Sequence, residues 1–300
     1  MKPIKVLICL IMADHDYQSE QAAAAKEAAF RLDMSLEIVY AGNDAVNQNQ
    51  QALKAIQAGN RPDAVLVEPV GTGMVQVATA AAAAGVGWGI VNREVDYVAK
   101  LRQTARAPVF AISTDQEEVG RIQGRQFSAL LKSTGEILYI EGPGTAGATR
   151  LRTAGMISTK PLNASIKTLK GDWTEPGAHR IVQSWLSLST SRLLHIQVIG
   201  CQNDAMAVGA RRAFEELPIG AERNQWLSLP VTGCDGVPAT GQRWVQQGRL
   251  AATVIMPPTM GLAMEILHKA IQTGSQPLEF TLSAPRSYPD LQELAEKARH

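Results

Sequence analysis

HIQVIGCQNDAMAVGARRAFEEL, from His195 to Leu217, is the stretch whose reading decides the fold. Ile196, Val198 and Ile199 form an apolar run of strand length. The chain then passes through Gly200-Cys201-Gln202 to Asn203 and Asp204. Small and apolar residues follow at helical spacing, among them Met206, Val208, Gly209, Ala213 and Phe214. Asn203 and Asp204 therefore stand as N-cap candidates where a strand's carboxyl end meets a helix's amino end. In open α/β sheets ligands bind at that junction, because its side chains point into the crevice instead of the core. Two readings stand at this point: the pair caps a helix and does nothing else, or part of it also meets a ligand.

The same strand-then-helix alternation repeats outward in both directions, the pattern of a parallel sheet with helices on both faces. Towards the amino terminus, strands are expected at Val6–Met12, Leu36–Tyr40, Ala64–Val67, Trp88–Val91 and Val109–Ile112. Helices are expected at Tyr17–Leu32, Asn43–Ala58 and Met74–Ala84. A second series follows, with helices at Gln116–Leu131, Ala148–Ile157 and Gly177–Leu186 and strands at Glu136–Ile140 and Ile166–Leu169. Beyond the opening stretch come strands at Leu229–Thr232 and Leu250–Met256. Helices at Ala239–Gln247, Gly261–Ile271 and Pro289–Arg299 complete the pattern. No low-complexity linker separates the two series, so the chain is expected to cross between two lobes more than once, as a hinge does.

The 300 residues suffice for about two domains, and 45% hydrophobic with 19% charged residues gives each a proper core. A net charge of +1 gives no reason to expect nucleic acid or an anionic membrane as partner. Cys9, Cys201 and Cys234 lie in or at the ends of apolar runs without CxxC or Cys/His spacing, and read as buried free thiols. MKPIKVLICLIM superficially resembles a signal peptide. It is too short, lacks a small-residue cleavage site and runs into Asp14-His15-Asp16, so it reads as the first core strand. No run is apolar for long enough to span a bilayer. Two compartments stay open: the cytosol, or an exported protein whose leader has been removed.

The chemistry sits at the strand ends. Asp14-His15-Asp16-Tyr17, Asn92-Arg93, Ser113-Thr114-Asp115, Arg150 and Arg152, Asp172-Trp173, Asn203-Asp204 and Asp235 all fall there. Catalysis needs a nucleophile with its base, a phosphate cradle or a metal cluster, and the list shows none of these. GlyThrGly at Gly71–Gly73 and GlyProGlyThrAlaGly at Gly142–Gly147 miss both the dinucleotide and the P-loop patterns. His15 between two aspartates is read as a solvated loop residue. The set does suit a neutral, hydroxyl-rich ligand. Hydroxyls both donate and accept, matching Asp and Asn acceptors and forked Arg and Asn donors. Sugar C–H faces pack on aromatic rings such as Tyr17 and Trp173.

DQEEVGRIQG (Asp115–Gly124), QNDAMAVGA (Gln202–Ala210), GCDGVP (Gly233–Pro238) and LAATVIMPPTMG (Leu250–Gly261) carry a family resemblance. In combination and order they resemble the type I periplasmic binding proteins, above all the ribose- and sugar-binding members. Those share their fold with the ligand-sensing core of lac-repressor-type regulators. The resemblance runs from Ile4 to about Leu282. It implies an α/β fold of two doubly wound parallel-sheet lobes joined by a three-segment hinge. The lobes would be 1–114 plus 257–282 and 115–256 plus 283–300, with crossings near Ser113–Asp115, Val254–Met256 and Leu282–Arg286.

The resemblance also implies ligand positions. Asn92 and Arg93 match an Asp-Arg pair of the family, with Asn replacing Asp. Arg152 matches a sugar-binding Arg, and Arg150 is its surface neighbour. Asn203 and Asp235 match directly, Trp173 falls on a stacking aromatic, and Tyr17 falls on an aromatic pair. Asp14 replaces an Asn, Asp16 an aromatic, and Met256 a hydroxyl-binding Gln. These departures speak against ribose itself.

The expectation is a non-catalytic, monomeric solute-binding protein, without cofactor or metal. It would close on a monosaccharide or polyol, with Asn203 facing the ligand and Asp204 holding the helix start. By resemblance it would be periplasmic or extracellular and serve an ABC sugar transporter through a membrane permease, without inserting into the membrane itself. The alternative is a sensory or regulatory module of the same fold, a receptor ectodomain or a repressor-type core. An enzyme on this fold would need a nucleophile or cofactor motif that is missing from the strand ends.

Overall fold

The computed structural model describes residues 3–71, 73–131, 135–188 and 195–299. Met1 and Lys2 of the amino-terminal run, and Thr72 of the Gly71–Gly73 turn, lie outside them. The chain divides into two compact units, Met1–Thr114 with Pro257–Ser283 and Asp115–Met256 with Ala284–His300.

In chain order the elements begin with β1 (Lys5–Leu10), α1 (Asp16–Arg31), β2 (Ser35–Tyr40), α2 (Ala45–Gln57), β3 (Ala64–Val67) and α3 (Val75–Ala83). They continue through β4 (Gly87–Val91), α4 (Val98–Arg102), β5 (Val109–Thr114), α5 (Gln116–Leu130), β6 (Glu136–Glu141) and α6 (Gly147–Thr159). Next come β7 (Ser165–Lys170), α7 (Glu175–Leu186), β8 (Ile196–Cys201), α8 (Asp204–Glu215), α9 (Ala221–Ser228) and β9 (Val231–Thr232). After a π-helical turn at Pro238–Gln242 the chain ends with α10 (Arg243–Gln246), β10 (Thr253–Ile255), α11 (Thr259–Thr273), β11 (Phe280–Ser283), β12 (Arg286–Tyr288) and α12 (Leu291–Lys297).

The first unit is a parallel sheet in the order β11-β5-β4-β3-β1-β2. Alternate side chains of each strand enter opposite cores. Val6, Ile8, Leu10, Leu66, Phe110 and Ile112 meet Ala22 and Ala25 of α1 and Met260, Met264 and Leu267 of α11. Leu7, Cys9, Val65, Val67, Trp88 and Ile90 meet α2, α3 and α4. Covering both faces makes the strands read as unbroken apolar runs.

The second unit carries the parallel sheet β7-β6-β8-β9 and the antiparallel pair β10-β12. Phe127, Tyr139, Met156 and Val198 fill one side, and Leu138, Ile140, Val182, Ile199, Met206 and Phe214 the other. Where Gly120 and Gly155 bring α5 and α6 together there is no room for a side chain. A Cβ on Gly120 would stand 2.0 Å from the Arg152 carbonyl oxygen, and one on Gly155 2.0 Å from that of Glu117. The three cysteines are free and buried.

Several expected boundaries move. The strand over Leu250–Met256 shortens to β10, although Ala252 and Ile255 still bridge to Thr232 and Asp235. The helix over Ala239–Gln247 becomes the π-helical turn, where Gln242 N–H reaches back to the Val237 carbonyl, followed by α10. The last helix begins at Leu291, capped by the Asp290 side chain accepting from Glu293 N–H. Among the described residues no helix is long and apolar enough to cross a membrane.

Candidate functional site

In the second unit the ends of β7, β6, β8 and β9 bring Trp173, Gly142, Gln202, Asn203 and Asp235 to one edge of the sheet, and α6 adds Arg152. Arg152 is 5% exposed. Its Nε donates to Gln116 Oε1 at 2.8 Å, its Nη1 to the Gln202 carbonyl, and its Nη2 to the Met256 sulfur at 3.1 Å. Asp235 Oδ1 stands 4.0 Å from Nη1, and the guanidinium lies 5.4 Å from the centre of the Trp173 ring. Cation–π contact contributes about 0.5–2 kcal/mol, and the neighbouring carboxylate offsets the cost of burying the charge. Here Arg152, Trp173, Asn203, Asp235 and Met256 meet in one cluster. Arg150 is exposed, two residues away on the same helix.

Asn203, and not Asp204 as expected, holds the helix start. Asn203 is the cap: its Oδ1 accepts from Met206 N–H at 2.9 Å, while its Nδ2 donates to the Trp173 carbonyl at 2.9 Å. Asp204 turns inward, accepting from Gly236 N–H at 2.8 Å and Thr253 Oγ1 at 2.7 Å. Burial, and then the charge of Asp235, push the Asp204 carboxyl well above the ordinary carboxylate range. Sequence alone offered two cap-type residues in a row. The decision falls to Asp204 N–H, which donates to the Cys234 carbonyl at 2.7 Å and ties that residue to the Cys234–Gly236 loop.

Gln202 escaped the sequence reading. Fully buried, its Oε1 accepts from Gly142 N–H, and its Nε2 donates to the Thr149 carbonyl and to Thr153 Oγ1. It thereby fixes the β6–α6 turn and, through its own carbonyl, Arg152. Gly142 is small for a reason: a Cβ there would come within 2.2 Å of the Trp173 indole. Gly142→Ala is therefore expected to displace the ring, changing the near-UV circular dichroism and weakening any ligand bound against the indole by about ten-fold, the equivalent of about 1.4 kcal/mol. An unchanged spectrum and affinity would show that the ring position is not what Gly142 protects.

In the first unit the ends of β1, β3 and β4 lie side by side, since β3 pairs with both neighbours. Asn92 and Arg93 follow β4. Asn92 Nδ2 donates to Glu68 Oε2 at 3.4 Å, Thr259 Oγ1 donates to Asn92 Oδ1 at 2.8 Å, and Arg93 Nε donates to the Pro69 carbonyl at 3.3 Å. Asp14 is exposed in the β1–α1 loop, Asp16 is exposed in the first turn of α1, and Tyr17 is buried beside it. At the helix amino end the Asp16 carboxylate favours the helix dipole.

Glu68 also went unread. It follows β3 directly, in a segment that reads as a turn, and is 5% exposed. Its signal is positional: like Asn92, it is the first residue beyond a buried strand. Burial raises its carboxyl above the ordinary range, opposed by the Arg93 charge and by the amides of Gln18 and Asn92.

Three residues of these two sets have positive φ: Asn92 at 58°, Trp173 at 71° and Asp235 at 103°. For Asn this is ordinary, but for a Trp it costs about 1–3 kcal/mol. Among the described residues no group of three or more His, Cys, Asp or Glu is placed to hold a metal ion.

The sequence pattern of the periplasmic binding protein domain matches residues 6–275. The chain belongs to this family. It is similar to a putative rhizopine-binding protein of Rhizobium meliloti, 27% identical over 188 residues, 61% of this chain and 58% of that one. A D-galactose/methyl-galactoside binding periplasmic protein of Haemophilus influenzae is 30% identical over 160 residues, 49% of this chain and 45% of that one. The chain thus spans about half the length of these relatives. In fold it is similar to an ABC transporter periplasmic solute binding protein of Actinobacillus succinogenes with bound D-allose. There the TM-score is 0.82 at 20% identity, covering 99% of this chain and 100% of that one.

Proposed function

We propose that this chain binds a monosaccharide or polyol and delivers it to the permease of an ABC transporter. The observation that carries the reading is the second unit's cluster. A buried guanidinium, a carboxylate and a partly exposed indole stand together in Arg152, Asp235 and Trp173. Asp235 and Arg152 supply an acceptor and fixed donors for vicinal hydroxyls, and the Trp173 ring supplies an apolar surface for sugar C–H groups. Arg93 and Asn92 provide a donor–acceptor pair in the first unit. The relatives' descriptions, a galactoside in one and allose in another, support the same class of ligand. The family supports a periplasmic or extracellular place of work.

A thermal-shift screen of pentoses, hexoses, polyols and amino acids tests the reading. Ligand at a hundred times its Kd stabilises by about 2.7 kcal/mol, which raises Tm by roughly 5–10 °C in a protein of this size. A shift with amino acids alone, or with none of the compounds, would overturn it. Delivery is tested by deleting the gene: uptake of the sugar found in the screen should fall. Normal uptake despite tight binding in vitro would point to a sensory role.

A further inference from the structure

The second unit has a cavity at the other end of its strands from Arg152 and Asp235. It lies where β8, β9 and β10 begin: Ile196 and Val231 line it, as does Ala251 just before β10. The helices over that end are short. α10 has four residues and buries none, and α9 buries Trp226 alone. They cover the strand starts incompletely and leave a space of about 760 Å³. Sites for small molecules enclose about 300–1,000 Å³.

The walls are apolar, with Leu227, Leu229, Val245, Leu250 and Leu294 beside Ile196. Arg211, Arg249 and Lys297 also line the cavity, with His195, and none of its described lining residues is an aspartate or glutamate. Two of the cations have carboxylate neighbours outside the lining. Lys297 Nζ stands 2.6 Å from Glu293, and Arg211 Nε stands 3.3 Å from Glu215. The Arg211 contact is misaligned, so its buried Nε has no hydrogen-bond partner among the described residues. Arg249 makes no ion pair among them. Its backbone N–H donates to the Trp244 carbonyl at 2.9 Å, and its guanidinium lies 5.9 Å from the centre of the Trp244 ring. The ring holds the cation in place, so little freedom is left to lose when an anion binds.

Charge and walls together select the occupant. A small inorganic anion would leave the apolar walls in contact with water. A neutral apolar molecule would strip water from Arg249 and return no hydrogen bond. An apolar body carrying one carboxylate satisfies both, because the guanidinium fork matches a carboxylate and the chain takes the place of water on the walls.

We propose that this cavity is a second binding site, for an aliphatic carboxylate, with Arg249 pairing the head group and Leu229, Val245 and Leu250 contacting the chain. The site is separate from the sugar cluster and does not rest on the sugar reading. At about 3.3 Å per residue along β8, Ile196 in the cavity stands roughly 20 Å from Asn203.

Isothermal titration calorimetry at neutral pH with octanoate, 1-octanol and acetate is the test. Octanoate is expected to bind at least ten-fold more tightly than either of the others. In Arg249→Gln the preference over 1-octanol is expected to fall to about one. In Ala251→Phe, which adds a ring to the cavity wall, octanoate affinity is expected to fall ten-fold or more. Asp235→Ala, at the other end of the sheet, is expected to keep the wild-type octanoate affinity. Octanoate bound no more tightly than 1-octanol or acetate, or not bound, would overturn the proposal. An octanoate affinity unchanged in both Arg249→Gln and Ala251→Phe, or lost in Asp235→Ala, would place octanoate elsewhere and overturn it too. The three-probe comparison needs no variant, so the test stands even where a variant fails to fold.

Discussion

Asp235→Ala is expected to remove ligand-induced stabilisation while leaving a folded protein. Asp235 sits beyond β9, with its N–H donating to the Val254 carbonyl and its carbonyl accepting from Met256 N–H. Those backbone bonds hold the loop whatever the side chain. The carboxylate is 4.0 Å from Arg152 and weighs on the buried Asp204. Removing it takes a counter-charge from Arg152 but also relieves Asp204, so the two effects on the unliganded protein oppose each other. With ligand present nothing opposes the loss. A hydrogen bond to a charged group contributes about 1.5–3 kcal/mol, and truncating a buried one costs about 2–5 kcal/mol. A loss of about 3 kcal/mol weakens binding roughly 150-fold, so ligand that shifts the wild-type Tm by roughly 5–10 °C would shift the variant by about 1 °C. Arg93→Ala, in the first unit, is expected to act the same way. Wild-type shifts in both variants, measured by thermal denaturation with the same ligand, would remove these residues from the binding set.

The strands were legible because the physics that buries them also writes them. β1, β3, β4 and β5 are covered on both faces, and each shows as an apolar run. The elements that escaped are those whose burial leaves no pattern. α4 spans only five residues, too few to show a helical period. α9 buries Trp226 alone and has no apolar face to detect. β11 and β12 lie at sheet margins and bury no side chain fully. Strand ends were also legible as a class, which is why Trp173, Asn203 and Asp235 stood out beside Asn92. Glu68 did not, because a glutamate after a strand is ordinary until it is known to be buried. Nor could the sequence divide the labour between Asn203 and Asp204. That depends on the Cys234–Gly236 loop, some thirty residues away, which takes Asp204 for itself.

The other large effect is expected from the glycines that let α6 approach α5. Arg152 is held by groups on three elements: Gln116 at the start of α5, the Gln202 carbonyl after β8, and Met256 after β10. Its reach to them depends on how closely α6 lies against α5. Gly120 faces the carbonyl of Arg152 itself, and Gly155 faces that of Glu117. An added methyl at either position would meet backbone 2.0 Å away, so a helix has to shift, since neither contact involves a flexible side-chain end. Alanine would otherwise favour each helix by about 1 kcal/mol, which makes the expected sign informative. Overpacking a close helix contact costs about 1–3 kcal/mol, and because both added methyls meet backbone the steric term should lie at the upper end of that range. After about 1 kcal/mol of helix propensity per position is subtracted, the double variant Gly120→Ala/Gly155→Ala is expected to lose up to about 4 kcal/mol in urea unfolding. Its ligand affinity should fall as well, because α6 carries Arg152 away from its partners. Stability equal to or above wild type would mean that the two helices separate at no cost, and that the position of Arg152 does not depend on this contact.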